Sequence, residues 1–305
     1  MTKNLQADNE RLMRLATYAS VATASILIVA KLAAWAMTGS VAILSTLIDS
    51  TLDAAASLVN LWAVRHALTP ADTEHRFGHG KAEPLAGLGQ AAFILGSGAL
   101  LLVESVKRLF QPEPISQGLV GIGVMVFSIV MTLLLVGFQK RVLSRAKSVA
   151  IAADQLHYSG DVLINGSVIV SLSAGMLLGW TFLDPIFAIA ISVFLLWNAW
   201  GIAIGSLDML MDREMADEDR QKIVEIARSH PEVRDLHDLR TRMSGQLGFV
   251  QMHLELDPQL PLVRAHAIAD HVEKAIEKAF PQCEVIIHQD PAGIREAHTG
   301  FADRP

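Results

Sequence analysis

The stretch Asp49-Ser50-Thr51-Leu52-Asp53 and the stretch His157-Tyr158-Ser159-Gly160-Asp161 each place two ionisable side chains four residues apart inside a long apolar segment. Four residues turn an α-helix through about 400°, which returns both side chains to nearly the same face. A carboxylate inside a hydrocarbon-spanning helix costs at least about 2.5 kcal/mol on insertion scales, so such groups usually face a cavity, a partner group or an ion. The two stretches therefore predict two halves of one functional site.

The surrounding composition is that of an integral membrane protein. Of the 305 residues, 51% are hydrophobic, and they are concentrated in the first two thirds of the chain; the mean hydropathy is +0.38. About 20 helical residues cross a hydrocarbon core of about 30 Å. Six segments have that length: 16–37, 41–64, 84–109, 119–138, 149–178 and 182–207.

The basic residues predict the orientation of these segments. The connections after the second and fourth segments contain Arg65, Arg76 and Lys81, and then Lys140, Arg141, Arg145 and Lys147. Connections rich in Lys and Arg lie on the cytoplasmic side, so both termini are expected in the cytoplasm. Lys31, late in the first segment, is expected to extend its ammonium group toward the outer surface.

Charge and cysteine content exclude several classes of protein. The net charge of −6 argues against nucleic acid as a partner. The single cysteine, Cys283, permits neither an intramolecular disulfide nor a cysteine cluster for a metal. Any metal site must therefore be built from His, Asp or Glu.

The two polar stretches are expected to meet inside the membrane. Counting about 1.5 Å per residue puts Asp49 and Asp161 about 18 Å from the inner boundary, and Asp53 and His157 about 12 Å from it. Antiparallel packing of the second and fifth segments would bring all four side chains to one point. Oxygen and nitrogen ligands in a group of four suit Zn²⁺, and Cd²⁺, Fe²⁺ or Mn²⁺ with less discrimination. Asp154 is interpreted as an exposed carboxylate at the start of the fifth helix.

The last third of the chain reads as a small α+β domain. A helix is predicted over 217–229, strands over 233–243 and 248–256, a helix over 262–280 and a strand over 284–289, in the order αββαβ. Strand alternation places His253 opposite the apolar face, and places His288 and Asp290 on one side, where they could share a metal. We expect a transmembrane domain over 1–211, a cytoplasmic domain over 212–291 and a disordered tail over 292–305.

Taken together, the six segments, the D-x3-D and H-x3-D patterns, the loop 70–83 and the His-rich C-terminal domain resemble the cation diffusion facilitator family. The likeness covers nearly all of residues 10–291, and the ligand pattern is similar to that of its bacterial zinc and iron exporters. It implies a homodimer in the bacterial inner membrane that exports divalent metal in exchange for protons, with a metallochaperone-like C-terminal domain. Zn²⁺ is the first candidate substrate and the expected structural metal of that domain, and Fe²⁺ and Cd²⁺ are further substrates.

The same resemblance implies roles for individual residues. The implied transport site consists of Asp49, Asp53, His157 and Asp161. The implied loop site consists of Asp72, His75 and His79, and a role in capture, in regulation or in incidental binding is open. The implied binuclear site at the dimer contact consists of His237, His253, His266, His288 and Asp290. Lys81 and Asp212 match a charge pair that links helix movement to the C-terminal domain.

Three other functions fit parts of the sequence. A manganese exporter or an exporter of broad specificity would use similar ligands. A membrane-embedded metallohydrolase would need a water-activating base, and the chain has no H-E-x-x-H helix. A passive channel or a metal sensor would differ from an antiporter because its metal flux would not depend on a pH gradient.

Overall fold

The computed structural model describes residues 2–110, 119–178 and 183–294. The helices are α1 (Thr2–Thr38), α2 (Val41–Ala67), α3 (Ala82–Phe110), α4 (Leu119–Leu143), α5 (Val149–Leu178), α6 (Leu183–Leu210), α7 (Asp217–Arg228) and α8 (Leu262–Ala279). The strands are β1 (Asp235–Ser244), β2 (Leu247–Leu256) and β3 (Cys283–Pro291). Most of the predicted tail, from residue 295 onward, lies outside the described residues.

The chain divides into two units, Met1–Met211 and Asp212–Pro305. Five helices of the first unit, α1 to α4 and α6, are long and apolar enough to cross a membrane. The remaining helix, α5, has 30 residues and is therefore about 45 Å long, which also exceeds the thickness of the hydrocarbon core. This is the helical membrane region that the sequence predicts. The first helix begins earlier than expected, since its polar N-terminal residues continue the helix.

Small residues let the membrane helices approach one another closely. A side chain at Gly160 of α5 would place its Cβ 2.9 Å from Leu195 Cδ2 of α6. At Gly98 of α3 the corresponding distance to Leu196 Cδ2 is 3.3 Å. A larger side chain at either position would require Leu195 or Leu196 of α6 to shift, so both glycines favour close contact between the helices.

Asp154 lies in the interior of the membrane unit, and the expectation of an exposed carboxylate at a helix start is wrong. The residue is 1% exposed. Ser20 Oγ on α1 donates a hydrogen bond to its Oδ2 at 2.5 Å, and Gln139 Nε2 on α4 donates to the same oxygen at 2.7 Å. Gln90 Nε2 on α3 donates to Oδ1 at 3.1 Å. Donors from three neighbouring helices thus satisfy the carboxylate that α5 buries.

Lys31 is also held inside the helical unit. Its Nζ donates to Ser50 Oγ at 2.6 Å and to the Thr46 carbonyl at 3.1 Å. The ammonium group is therefore bound to α2 beside the Asp49–Asp53 stretch, whereas the sequence predicts extension toward the outer surface. A partly buried lysine donates to the acceptors that lie within reach of its side chain, and α2 provides them.

The second unit contains the predicted αββαβ order. Its sheet has the order β1-β2-β3, in which β1 and β2 are antiparallel and β2 and β3 are parallel. The apolar side of β2 is buried in the core with α7 and α8: Val250, Met252 and Leu254 are at most 1% exposed. Alternation along β2 directs His253 to the opposite face of the sheet.

Cys283 belongs to this core and not to a metal site. Its side chain is 7% exposed, and Sγ would lie 2.5 Å from a Cβ placed on Gly248. Burial, with a contribution from Asp219, raises the pKa of the Cys283 thiol to about 11. At neutral pH the group is a protonated thiol, whereas a metal ligand would be a thiolate.

We expect Asp154→Ala to lower the midpoint of thermal unfolding of the detergent-solubilised protein more than Asp154→Asn does. Alanine leaves three buried donors without their acceptor, and each such group costs about 1–3 kcal/mol. Asparagine retains one acceptor oxygen in nearly the same place. Tryptophan fluorescence during heating measures both midpoints. An Asp154→Ala midpoint equal to that of the wild type would contradict a structural role for the hydrogen bonds to Asp154.

Candidate metal centres

The described residues contain three groups whose ligand atoms lie within 4.8 Å of one another. The membrane cluster is Asp53, His157 and Asp161; the loop cluster is Asp72, His75 and His79; the sheet cluster is His237, His253 and Asp290. All three groups use only imidazole and carboxylate ligands, which suit Zn²⁺ and related divalent ions.

The membrane cluster joins α2 to α5. His157 Nε2 lies 2.9 Å from Asp53 Oδ1 and 3.9 Å from Asp161 Oδ2. The side chains of His157 and Asp53 are 12% and 17% exposed, and that of Asp161 is 31% exposed. The two stretches with four-residue spacing thus present one imidazole and two carboxylates to a shared space within the membrane unit.

Asp49 lies one turn before Asp53 on the same helix. Its side chain is exposed in the single chain and is outside the membrane cluster. Three ligands leave one position of a tetrahedral ion to be filled. Asp49 as the fourth ligand stays a prediction.

A buried tyrosine fixes α5 beside this cluster. Tyr158, the residue after His157, is 1% exposed. Its hydroxyl is hydrogen-bonded to Ser57 Oγ on α2 at 2.8 Å and lies 3.4 Å from the Ser20 carbonyl on α1. Together with the Asp154 contacts one turn earlier, these hydrogen bonds set the rotation of α5, so that His157 faces Asp53.

The loop cluster is built on a turn between α2 and α3. Asp72 Oδ1 accepts hydrogen bonds from the backbone amides of His75 at 2.6 Å and Glu74 at 2.9 Å. The His75 amide, the Glu74 amide and the nearby imidazoles lower the pKa of Asp72. Its other oxygen lies 3.4 Å from His79 Nε2, and Gly78 has a φ of +78°, which permits the turn between the two histidines. The carboxylate is ionised and available as a ligand at neutral pH.

The sheet cluster follows from strand register. His237, His253 and His288 are paired across β1, β2 and β3, so their side chains form a row on one face of the sheet. Asp290, 5% exposed, lies among them, because its Oδ2 is 2.8 Å from His253 Nδ1 and 3.4 Å from His237 Nε2. His288 Nε2 is 3.1 Å from Asp290 Oδ1. The structure therefore brings together four of the five residues implied for this site.

His266 is the fifth implied residue, and it is not part of the sheet cluster. It is exposed on α8 in the single chain. Glu255 is close to the cluster instead, with Oε1 3.2 Å from His237 Nδ1. The sequence contained a signal for Glu255, since it follows His253 by two residues on a strand and therefore shares its face.

Lys81 and Asp212 each have a partner within their own unit. Lys81 Nζ donates to the Leu210 carbonyl at 3.3 Å. Arg242 Nη1 donates to both oxygens of Asp212 at 3.2 Å, and Asp212 has a φ of +58°. The charge pair between Lys81 and Asp212 stays a prediction.

Two family models match the chain. A model of the cation efflux transmembrane domain matches residues 17–211, and a model of the cytoplasmic domain of cation efflux proteins matches residues 215–292. The cation-efflux pump FieF of Klebsiella pneumoniae is 46% identical over 295 residues, which cover 96% of this chain and 98% of that protein. The pump of the same name from Salmonella choleraesuis (strain SC-B67) is 46% identical over 284 residues, 93% of this chain and 94% of the relative.

Solved structures match the C-terminal part of the chain. The zinc form of the transporter CzrB is 30% identical and covers 28% of this chain and 98% of its own, with a TM-score of 0.27. A structure of the MamM C-terminal domain is 28% identical and covers 25% of this chain and 96% of its own, with a TM-score of 0.24.

We expect Asp290→Asn to weaken Zn²⁺ binding at the sheet cluster of the purified full-length protein by at least about tenfold. The change removes the negative charge that lies among three imidazoles. Competition with a chromophoric zinc indicator measures the affinity. Asp270→Asn is the matched control, because Asp270 is an exposed carboxylate on α8 bound to Lys274. Equal zinc affinities in the two variants would contradict the assignment of Asp290 as a ligand.

Proposed function

The chain belongs to the cation efflux family and is a cation efflux transporter rather than an enzyme, and we propose that it exports Zn²⁺ from the cytoplasm in exchange for protons. Fe²⁺ and Cd²⁺ are proposed as further substrates. We propose the membrane cluster, together with Asp49, as the transport site.

The observation that carries this proposal is the contact between Asp53, His157 and Asp161 inside the membrane unit. Imidazole and carboxylate groups bind either a proton or a divalent ion at a given lone pair, and metal binding therefore releases protons. A site that faces the cytoplasm at neutral pH would load metal. The same site facing a more acidic compartment would take up protons and release the metal. Exchange of the two ions follows from competition for the same atoms.

The ligand chemistry supports the proposed substrates. One nitrogen and several carboxylate oxygens suit Zn²⁺, which accepts mixed nitrogen and oxygen ligands in tetrahedral geometry. Fe²⁺ and Cd²⁺ accept the same atoms, and discrimination among them by ligand type alone is weak. The relatives are named cation-efflux pumps, and this name specifies no single metal.

For the C-terminal domain, over residues 212–291, we propose structural Zn²⁺ and a role in homodimer formation. The match to the cytoplasmic domain of cation efflux proteins supports the location of this domain. Three ligands of the sheet cluster lie close together, His288 contacts Asp290, and His266 is exposed on α8, where it is accessible to a second protomer. Metal bound there would reduce repulsion between two acidic chains and stabilise their association.

We further propose that the protein lies in the bacterial inner membrane with both termini in the cytoplasm. The proposal rests on the basic residues in the connections that follow α2 and α4. In this orientation the loop cluster, which follows α2, is on the cytoplasmic side and is exposed to the metal that is to be exported.

In liposomes that contain the purified protein, we expect Zn²⁺ uptake to increase when the lumen is more acidic than the medium. Metal then enters as protons leave. A fluorescent zinc indicator in the lumen measures uptake, and an ionophore that exchanges potassium for protons removes the pH gradient. Uptake that is unchanged after removal of the gradient would indicate a channel.

Under the same conditions, Asp53→Ala and Asp161→Ala are each expected to reduce uptake to the level of protein-free liposomes, because each removes a carboxylate from the membrane cluster. His271→Ala, a change in a histidine of α8 outside the three clusters, is expected to retain wild-type uptake. Full uptake by either aspartate variant would remove that residue from the transport site.

A further inference from the structure

A histidine that the three clusters do not include lies against the loop cluster. His66 is in the last turn of α2, and the centroids of the His66 and His79 rings are 4.5 Å apart. The rings of His75 and His79, which already belong to the cluster, are 4.6 Å apart. Two imidazoles bound to one zinc ion have ring centroids about 5 Å apart, given Zn–N distances of about 2.0–2.1 Å. The His66 ring is therefore as close to the His79 ring as is the ring of His75, which belongs to the loop cluster.

His79 is buried and incompletely hydrogen-bonded. Its side chain is 5% exposed, and Nε2 faces Asp72 Oδ2 at 3.4 Å. Its Nδ1 is buried without a hydrogen-bond partner among the residues that the structure describes. Buried polar atoms are nearly always satisfied, so the unpaired Nδ1 marks His79 as a side chain that takes a further hydrogen-bond partner or ligand.

Trp62 restricts the orientation of His66. Their rings stack at 5.3 Å with an interplanar angle of 8°. Trp62 lies one turn earlier on α2 and is 65% exposed. The tryptophan covers one side of His66, and His79 lies on another, so the imidazole is held at the margin of the cluster.

We propose that His66 is a fourth ligand of the loop metal site, completing a set of three imidazoles and one carboxylate with Asp72, His75 and His79. The inference rests on metal binding at the loop and extends it. In the present orientation His66 lies outside the group of atoms within 4.8 Å, so metal binding by His66 requires its ring to turn from its stacked position on Trp62. Four nitrogen and oxygen ligands select ions that accept tetrahedral geometry, such as Zn²⁺ and Co²⁺, over Mg²⁺ and Mn²⁺.

A metal ligand at position 66 would attach the loop site to α2. Asp72, His75 and His79 all lie between α2 and α3, whereas His66 belongs to α2 itself. Asp53 is on the same helix, about 20 Å away along its axis. An ion bound to His66 would therefore connect the loop directly to the helix that contributes to the transport site.

Co²⁺ bound to the full-length protein in detergent tests the proposal, because four-coordinate Co²⁺ absorbs visible light much more strongly than six-coordinate Co²⁺. Subtraction of the Co²⁺ absorption spectrum of Asp72→Ala from that of the wild type gives the spectrum of the loop site. In His66→Phe a ring remains to pack against Trp62 and His79, but the ligand nitrogens are lost. We expect this variant to lose most of the visible absorption of the loop site and to bind Zn²⁺ there at least about tenfold more weakly.

His66→Cys provides the complementary readout. A thiolate that coordinates Co²⁺ produces a charge-transfer band in the near ultraviolet, and this band appears only if position 66 touches the metal. The buried thiol of Cys283 is present in every variant and serves as an internal background.

Two results would overturn the proposal. One is a His66→Phe spectrum equal to that of the wild type together with no charge-transfer band in His66→Cys. The other is a wild-type spectrum equal to that of Asp72→Ala, which would show that the loop binds no metal. Neither result bears on the transport site, since proton-coupled uptake and its loss in Asp161→Ala are measured separately.

Discussion

Ionisable side chains buried among apolar helices must find hydrogen-bond partners or an ion, and the arrangement of the membrane unit depends on this requirement. Asp154 receives donors from α1, α3 and α4, and Tyr158 bonds to Ser57 on α2. These contacts fix the rotation of α5 against α1, α2, α3 and α4. Asp154 and Tyr158 already have hydrogen-bond partners, so His157 and Asp161 can face Asp53.

The membrane cluster differs from Asp154 in the hydrogen-bond donors that surround its carboxylates. Asp154 has three uncharged donors and is buried, which makes it a structural element. Asp53, His157 and Asp161 are mainly directed at one another and are partly accessible. Two carboxylates and one imidazole satisfy each other incompletely, so the group favours binding of a cation or of protons. This difference separates the proposed transport site from the site of helix packing on the same helix.

In the C-terminal unit, the register of the strands brings the ionisable side chains together. The register of three strands aligns His237, His253 and His288, and Asp290 is buried next to them. The opposite face of the sheet is apolar and covered by helices, and it contains the protonated thiol of Cys283. The polar row on one face and the apolar core on the other both follow from the two-residue period of a strand.

The sequence by itself determined the order of the membrane helices, the pairing of polar groups at four-residue spacing, the αββαβ order and the family, because these depend on local periodicity and on short motifs. Only the tertiary structure decided that Asp154 is buried, that Lys31 is bound to α2 and that His66 lies against the loop cluster. Each of these facts depends on side chains distant in sequence or on the rotation of an element about its axis. Helical periodicity identifies a face but does not specify which neighbour covers it.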